Sequence, residues 1–268
     1  MEKDNHNVPE HTGTKTKDHY HDEHHFDALG NHDDVNENDF NFKNSIYTSR
    51  KNLIYRISAS GVFLALAIVA TGIDSLLEKF FTLPLEGVFL PVRYFDIVVV
   101  FLSIGIIGPI FASILGLLIP WIHLGFDPVH GPLPSLIDSM GYFVIIWVFW
   151  AVYYVIFRNS YIHKDPNRKK DLTKRWVPIA IFVPIALLIY VPLTVWIIYV
   201  TNPDHETASA GISLFHDDHD HGHWSAFKEK YLIYTAIVTG FESVRFIACY
   251  ILFAVLEPQM KKTNHRFR

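Results

Sequence analysis

Ile97 to Ile122 reads IVVVFLSIGIIGPIFASILGLLIPWI, 26 residues without one Asp, Glu, Lys or Arg. A helix rises about 1.5 Å per residue, so about 20 apolar residues cross a hydrocarbon core roughly 30 Å thick. An uncharged run of this length reads as membrane-embedded. Residues 57–73, 139–157, 176–200 and 231–256 are further apolar blocks of spanning length or close to it. The chain is therefore expected to be an all-α integral membrane protein.

The rest of the sequence is organised around these blocks. Residues 1–50 are almost entirely polar and rich in Asn, Asp, Lys and His. They offer too little apolar surface to offset the entropy of ordering, so they read as a disordered tail. No apolar core stands near Met1, so no cleavable signal peptide is expected. The single cysteine, Cys249, rules out an intramolecular disulfide and a cysteine metal cluster. Residues 51–262 form the expected membrane domain, and 263–268 a short basic tail.

Positive charge marks the cytoplasmic side of a membrane protein. The segment from Arg158 to Arg175 holds seven Lys and Arg against two Asp, and the C-terminus carries Lys261, Lys262, Arg266 and Arg268. Both should be cytoplasmic, as should Arg50, Lys51 and Arg56. Leu124 to Ser135 has no Lys or Arg, and the loop 201–230 is acidic; both should face outward. The chain leaves the first span near Asp74 and is outside again by His123, so the stretch between must enter and return. Glycine frees the backbone and proline cannot continue a helix, so the break is expected at Gly105-Ile-Ile-Gly108-Pro109. The count becomes a bundle of six transmembrane helices with both termini cytoplasmic, the short pair having a re-entrant hairpin as its alternative.

Several groups are candidates for chemistry. Glu242 and Arg245 lie one turn apart in the middle of the last apolar block, where an ionisable residue costs a few kcal/mol unless it is paired or faces a cavity. Small residues recur at spacing four, as Gly61 and Ala65 and as Gly108, Ala112 and Gly116; such stripes let helices approach closely in lipid. The loop after Trp121 is proline-rich and, with Asp138, Tyr142 and Tyr234 nearby, suits capping a flat solute. His216, His219, His221 and His223 alternate with Asp in the outer loop, a composition that chelates divalent metal without fixed geometry. No phosphate-binding glycine loop and no hydrolase or HExxH arrangement occurs, so no enzyme is expected.

These features resemble a known family. The helix Ile57-Ser-Ala-Ser-Gly-Val-Phe-Leu-Ala-Leu-Ala-Ile-Val-Ala70, the segment Val92-Arg-Tyr-Phe-Asp96 followed by Gly105-Ile-Ile-Gly-Pro-Ile-Phe-Ala-Ser-Ile-Leu-Gly116, and Thr239-Gly-Phe-Glu-Ser-Val-Arg245 are similar to the substrate-binding S components of energy-coupling factor (ECF) transporters for vitamins. The departures are Glu242 where that family usually has Asn, Arg245 where it has Lys, and Gly61-x-x-x-Ala65 for a paired-alanine stripe. The resemblance implies a plasma-membrane subunit that binds a micronutrient at its outer face. It would then dock on a membrane coupling subunit driven by two ATP-binding subunits. ATP would be used by those partners, with no cofactor in this chain. Arg93, Trp121, Asp138, Tyr142, Tyr234, Glu242 and Arg245 are then the expected solute contacts, with Gly61, Ala65, Gly108, Ala112 and Gly116 for docking. The rivals are a metal-uptake component, a stand-alone carrier and a membrane scaffold.

Overall fold

The computed structural model describes residues 37–47, 49–80, 83–85, 88–90, 94–128, 132–200 and 221–267. Within them the helices run α1 (Lys43–Ile46), α2 (Arg50–Phe80), α3 (Phe95–Phe126), α4 (Pro132–Trp150), α5 (Arg168–Trp176), α6 (Ile179–Val200) and α7 (His221–Arg266). A small hairpin, β1 (Leu83–Leu85) with β2 (Val88–Leu90), joins α2 to α3 in antiparallel register. It is a minor departure from the expected all-helical chain. Five helical stretches are long and apolar enough to cross a membrane. Their outer faces carry Ile57, Val62, Val69, Leu188, Leu232 and Val255, each more than half exposed. Such surfaces suit lipid rather than water.

Five is one fewer than the six expected, and the difference lies in α3. Gly108 sits inside it at φ 78 and ψ 174, which is not helical backbone. Pro109 follows at once, in the first position of a new helix, where proline is favoured. The two ends of α3 show how far the chain turns. The Asp96 amide donates to Asp74 Oδ2 at 2.8 Å, while His123 Nδ1 lies 3.4 Å from Ser75 Oγ and its Nε2 3.2 Å from Glu78 Oε2. Asp74 and Glu78 are a single turn of α2. In a straight helix Asp96 and His123 would be about 40 Å apart. So α3 doubles back at Gly108, with one arm descending from Phe95 and the other returning to Phe126.

The tip of that hairpin is secured at the opposite end of the bundle. Asn264 Nδ2 donates to the Gly105 carbonyl at 2.7 Å, and the Tyr161 hydroxyl donates to the Ile106 carbonyl. Arg56 turns inward, 2 % exposed, and donates to the Ser45 and Ile46 carbonyls at 2.8 and 2.7 Å while lying over the Tyr161 ring. Broken helix backbone inside a membrane protein needs protein partners of this kind, because lipid supplies none. A Cβ on Gly108 would stand 2.6 Å from Arg56 Nη1 and 2.8 Å from the Ser45 oxygen, so only glycine admits this packing.

Residues 37–47 therefore do not belong to a disordered tail. Ser45 is buried, accepting from Trp150 Nε1 at 2.7 Å, and Asp39 is buried beside His163 at 3.7 Å. The ordered domain begins before Arg50 because Arg56 needs acceptors that the apolar helices lack. Residues 1–36 lie outside the described chain. At the other terminus α7 runs to Arg266, so most of the expected basic tail is helix.

The core is aromatic. Phe101, Phe149 and Phe182 meet edge to face at 5.2 to 5.5 Å, with Phe246, Tyr250 and Phe253 around them. Each such contact contributes about 0.5–1.5 kcal/mol beyond area burial. In lipid, where apolar transfer is no driving force, this packing is what holds helices together.

Candidate solute-facing site

The bundle has two polar ends, about 27 Å apart along α2 between Arg56 and Asp74. The candidate site is at the Asp74 end. There α7 presents Glu242 and Arg245 at i, i+3, so both fall on one face. Arg245 Nη2 stands 2.9 Å from Glu242 Oε2, and both side chains are under 10 % exposed. The contact is an ion pair whose angles fall short of a hydrogen bond, and Arg245 Nε has no hydrogen-bond acceptor among the described residues. The guanidinium lies over the Tyr190 ring at 4.8 Å and beside Phe246 at 5.2 Å. Gly141 makes room for Tyr190: a Cβ there would sit 2.9 Å from its hydroxyl.

Acidic and phenolic groups surround the pair. Tyr142 on α4 is buried, its ring 6.3 Å from Tyr190, and its hydroxyl donates to Asp96 Oδ1 at 3.0 Å. Asp96 also accepts from the Ile97 amide at 2.6 Å. Asp74 receives the amides of Tyr94, Phe95 and Asp96 at 2.8 to 3.1 Å, so an anion caps the start of α3 and complements its dipole. Tyr94 packs on Phe241 with ring centres 5.2 Å apart. Burial, with lesser and opposing effects of Arg245 and Glu242, pushes the Tyr94 phenol up to about 12, so it stays neutral and able to donate. Asp138 lies within electrostatic reach of both Glu242 and Arg245.

Of the solute contacts expected from sequence, Asp138, Tyr142, Glu242 and Arg245 therefore come together. Trp121 does not join them: it is 44 % exposed on the outer surface, while its neighbour His123 turns inward. Tyr234 is buried, but in a separate cluster with Val191, Val195, Ile198 and Val238. Arg93, His216 and His219 lie outside the described residues. His221 and His223 open α7, and their side chains are likewise outside the description. Among the described residues no group of three His, Cys, Asp or Glu could hold a metal ion.

The docking stripe divides. Gly61 and Ala65 are exposed on α2. Gly108, Ala112 and Gly116 are buried inside the chain, and a Cβ on Gly116 would press on Ile146 and Tyr142. Their spacing serves packing within the bundle, so this half of the stripe presents no outer face to a partner.

Asp74, Tyr94 and Tyr190 were not picked out from the sequence. Asp74 reads there as the end of a span, and Tyr190 as one apolar position between Pro184 and Pro192. Asp96 reads there as an outer-surface charge where a short helix starts and as the end of the Val92–Asp96 segment. A charge at the close of one apolar run and another at the start of the next is the signal that would have paired Asp74 with Asp96.

No family model and no solved structure matches the chain. It is similar to the Uncharacterized protein MG147 of Mycoplasma genitalium, 29 % identical over 127 residues that make up 45 % of this chain and 31 % of that protein. It is also similar to the MG147 homolog of Mycoplasma pneumoniae, 28 % identical over 116 residues, 41 % of this chain and 28 % of that one. Each match spans less than a third of the relative's length.

Proposed function

We propose that this chain is a solute-binding membrane subunit of a micronutrient importer of the ECF type. It takes its solute at the Asp74 end and releases it by docking on a coupling subunit driven by two ATP-binding subunits. The observation that carries this reading is the buried Glu242–Arg245 pair, walled by Tyr190 and with Tyr94, Tyr142 and Asp138 in its field. A structural ion pair in a membrane bundle is usually fully bonded. Here the Arg245 Nε has no acceptor among the described residues, beside phenols and the half-buried Asp138, and such a group suits a polar contact for a flat organic solute.

Topology supports the same reading. With the two arms of α3 counted as separate passes, the bundle has six. Arg50 and Phe267 border one groove, so both ends of the membrane domain lie together. The basic segment Arg158–Arg175 lies at that end too, since Tyr161 reaches the hairpin tip. Positive charge at that end supports a cytoplasmic location for it, which would leave the Glu242–Arg245 pair in the outer half of the membrane. Gly61 and Ala65 on the exposed face of α2 are the docking candidates.

The test is isolation of the intact protein from its native membrane in mild detergent, with mass spectrometry of everything retained. The expected result is a membrane coupling protein, two ATP-binding proteins and a small organic molecule. Recovery of the chain alone, under conditions where a control complex survives, overturns the importer reading.

A further inference from the structure

We infer that the groove between the first turns of α2 and Phe267, just beyond the end of α7, is a binding site for an anionic phospholipid. This does not depend on the importer reading. The groove holds about 620 Å³, in the range of small-molecule sites, and is lined by Arg50, Lys51, Ile54, Tyr55, Ser58 and Phe267. Its floor is the Tyr55 ring stacked on Phe267, with centres 4.2 Å apart and planes 6° from parallel. Along the outer face of α2 the order is two exposed cations, then Ile54 at 59 % exposure, then the open stretch through Gly61 and Val62. The next cation along α2, Arg56, is consumed inside the bundle. A cationic rim over an apolar floor, at the point where a spanning helix leaves the polar zone, matches a phosphate headgroup above an acyl chain.

Charge at this end favours an anion. Its described carboxylates are buried against cations or histidine: Asp165 on Lys170 and Lys174, Asp171 on Arg175, Glu257 on Arg175 and Lys261, and Asp39 beside His163. Arg50, Lys51, Arg168, Lys169 and Arg266 are exposed. The acids thus offset inner cations, and the outward field is positive. A headgroup with net negative charge is held by that field and by the rim, whereas a zwitterionic one is held by the floor alone.

The test uses the full chain in detergent, titrated with phosphatidylglycerol or phosphatidylcholine of equal chain length and read by native mass spectrometry. Wild type is expected to retain phosphatidylglycerol preferentially. The double variant Arg50→Gln, Lys51→Gln should lose roughly 30-fold in that retention, from the usual effect of two interfacial cations. Arg168→Gln with Lys169→Gln removes the same charge away from the groove and should lose far less. Phe267→Ala should weaken both lipids alike. Equal retention of the two lipids by wild type overturns the inference. So does an equal loss in the two double variants, which would mean a diffuse field and no site. All four mutated cations are exposed, and thermal unfolding of each variant is the check that it folds.

Discussion

Asp96 and His123 stand at opposite ends of one helical stretch, yet both rest on the same turn of α2, Asp96 through Asp74 and His123 through Ser75 and Glu78. The relationship makes α3 a hairpin, and the hairpin has two consequences. It brings Tyr94 and Asp96 to the end where Glu242 and Arg245 lie, completing the polar wall of the candidate site. It also carries Gly105 to Gly108 to the opposite end, where their backbone needs side-chain partners.

The hairpin can be measured directly. Phe95 and Phe126 are each about half exposed, at 47 % and 50 %, so both tolerate a cysteine and a spin label. A straight helix would hold them about 46 Å apart. Pulsed electron resonance on the doubly labelled protein is expected to give a distance far below that, with both labels at the Asp74 end. A peak near the straight-helix value would remove the doubled-back α3, and with it the six-pass count.

Gly108 should be the most intolerant glycine among the described residues. Alanine there meets a positive φ and two close contacts, Arg56 Nη1 and the Ser45 oxygen. Strain of this kind costs about 1–3 kcal/mol, and displacing Arg56 would also loosen residues 44–46. Gly125 meets nothing within 4 Å and serves as the control. Thermal unfolding in detergent should show a clear loss for Gly108→Ala and almost none for Gly125→Ala.

For Glu242 and Arg245 the single and double variants should diverge. Removing one partner leaves a buried charge uncompensated, at a cost of about 3–5 kcal/mol. Glu242→Leu with Arg245→Met removes both charges and should recover most of that stability. If the pair only holds the bundle together, the double variant should also keep solute binding. If it contacts solute, the double variant folds but no longer retains the small molecule that copurifies with wild type.

How much of this was legible in the sequence follows from where the interacting residues lie. The Gly105–Pro109 break could be read because glycine and proline act on their own backbone. Glu242 and Arg245 could be read because their partners are one turn apart. Asp74 could not, since the amides it caps begin twenty residues on. Residues 37–47 look like polar tail until Arg56 is seen to need the Ser45 and Ile46 carbonyls. The inward face of Gly108, Ala112 and Gly116 was undecidable from spacing, which is the same whether a stripe packs within the chain or against a partner. Trp121 and His123, two residues apart and on different faces, show how little proximity in sequence says about membership of a site.

The loop before α5 should give the stability of the protein a signed pH dependence. Burial pushes the Asp165 carboxyl up, but hydrogen bonds from Lys174 and the Asn167 amide, with the charges of Lys174 and Lys170, outweigh it and hold it below the usual range. A carboxylate with a depressed folded value stabilises at neutral pH, and that contribution is lost as pH falls below about 4. Asp165→Asn should therefore destabilise at pH 7 and matter less in acid. Lys164 behaves oppositely. Burial, and then Arg175, bring it down to about 8. Below pH 8 the ammonium is retained in both states, and the folded state bears the full burial penalty. Between pH 8 and roughly 10.4 the unfolded chain binds more protons, so this group's contribution to stability rises with pH. Lys164→Met should then raise the melting temperature at pH 7, and its advantage over wild type should shrink steadily from pH 8 to 10. Because other lysines and tyrosines also titrate there, the readout is the difference between the two proteins at each pH. A difference that stays constant across the window would mean that Lys164 is not perturbed by its surroundings.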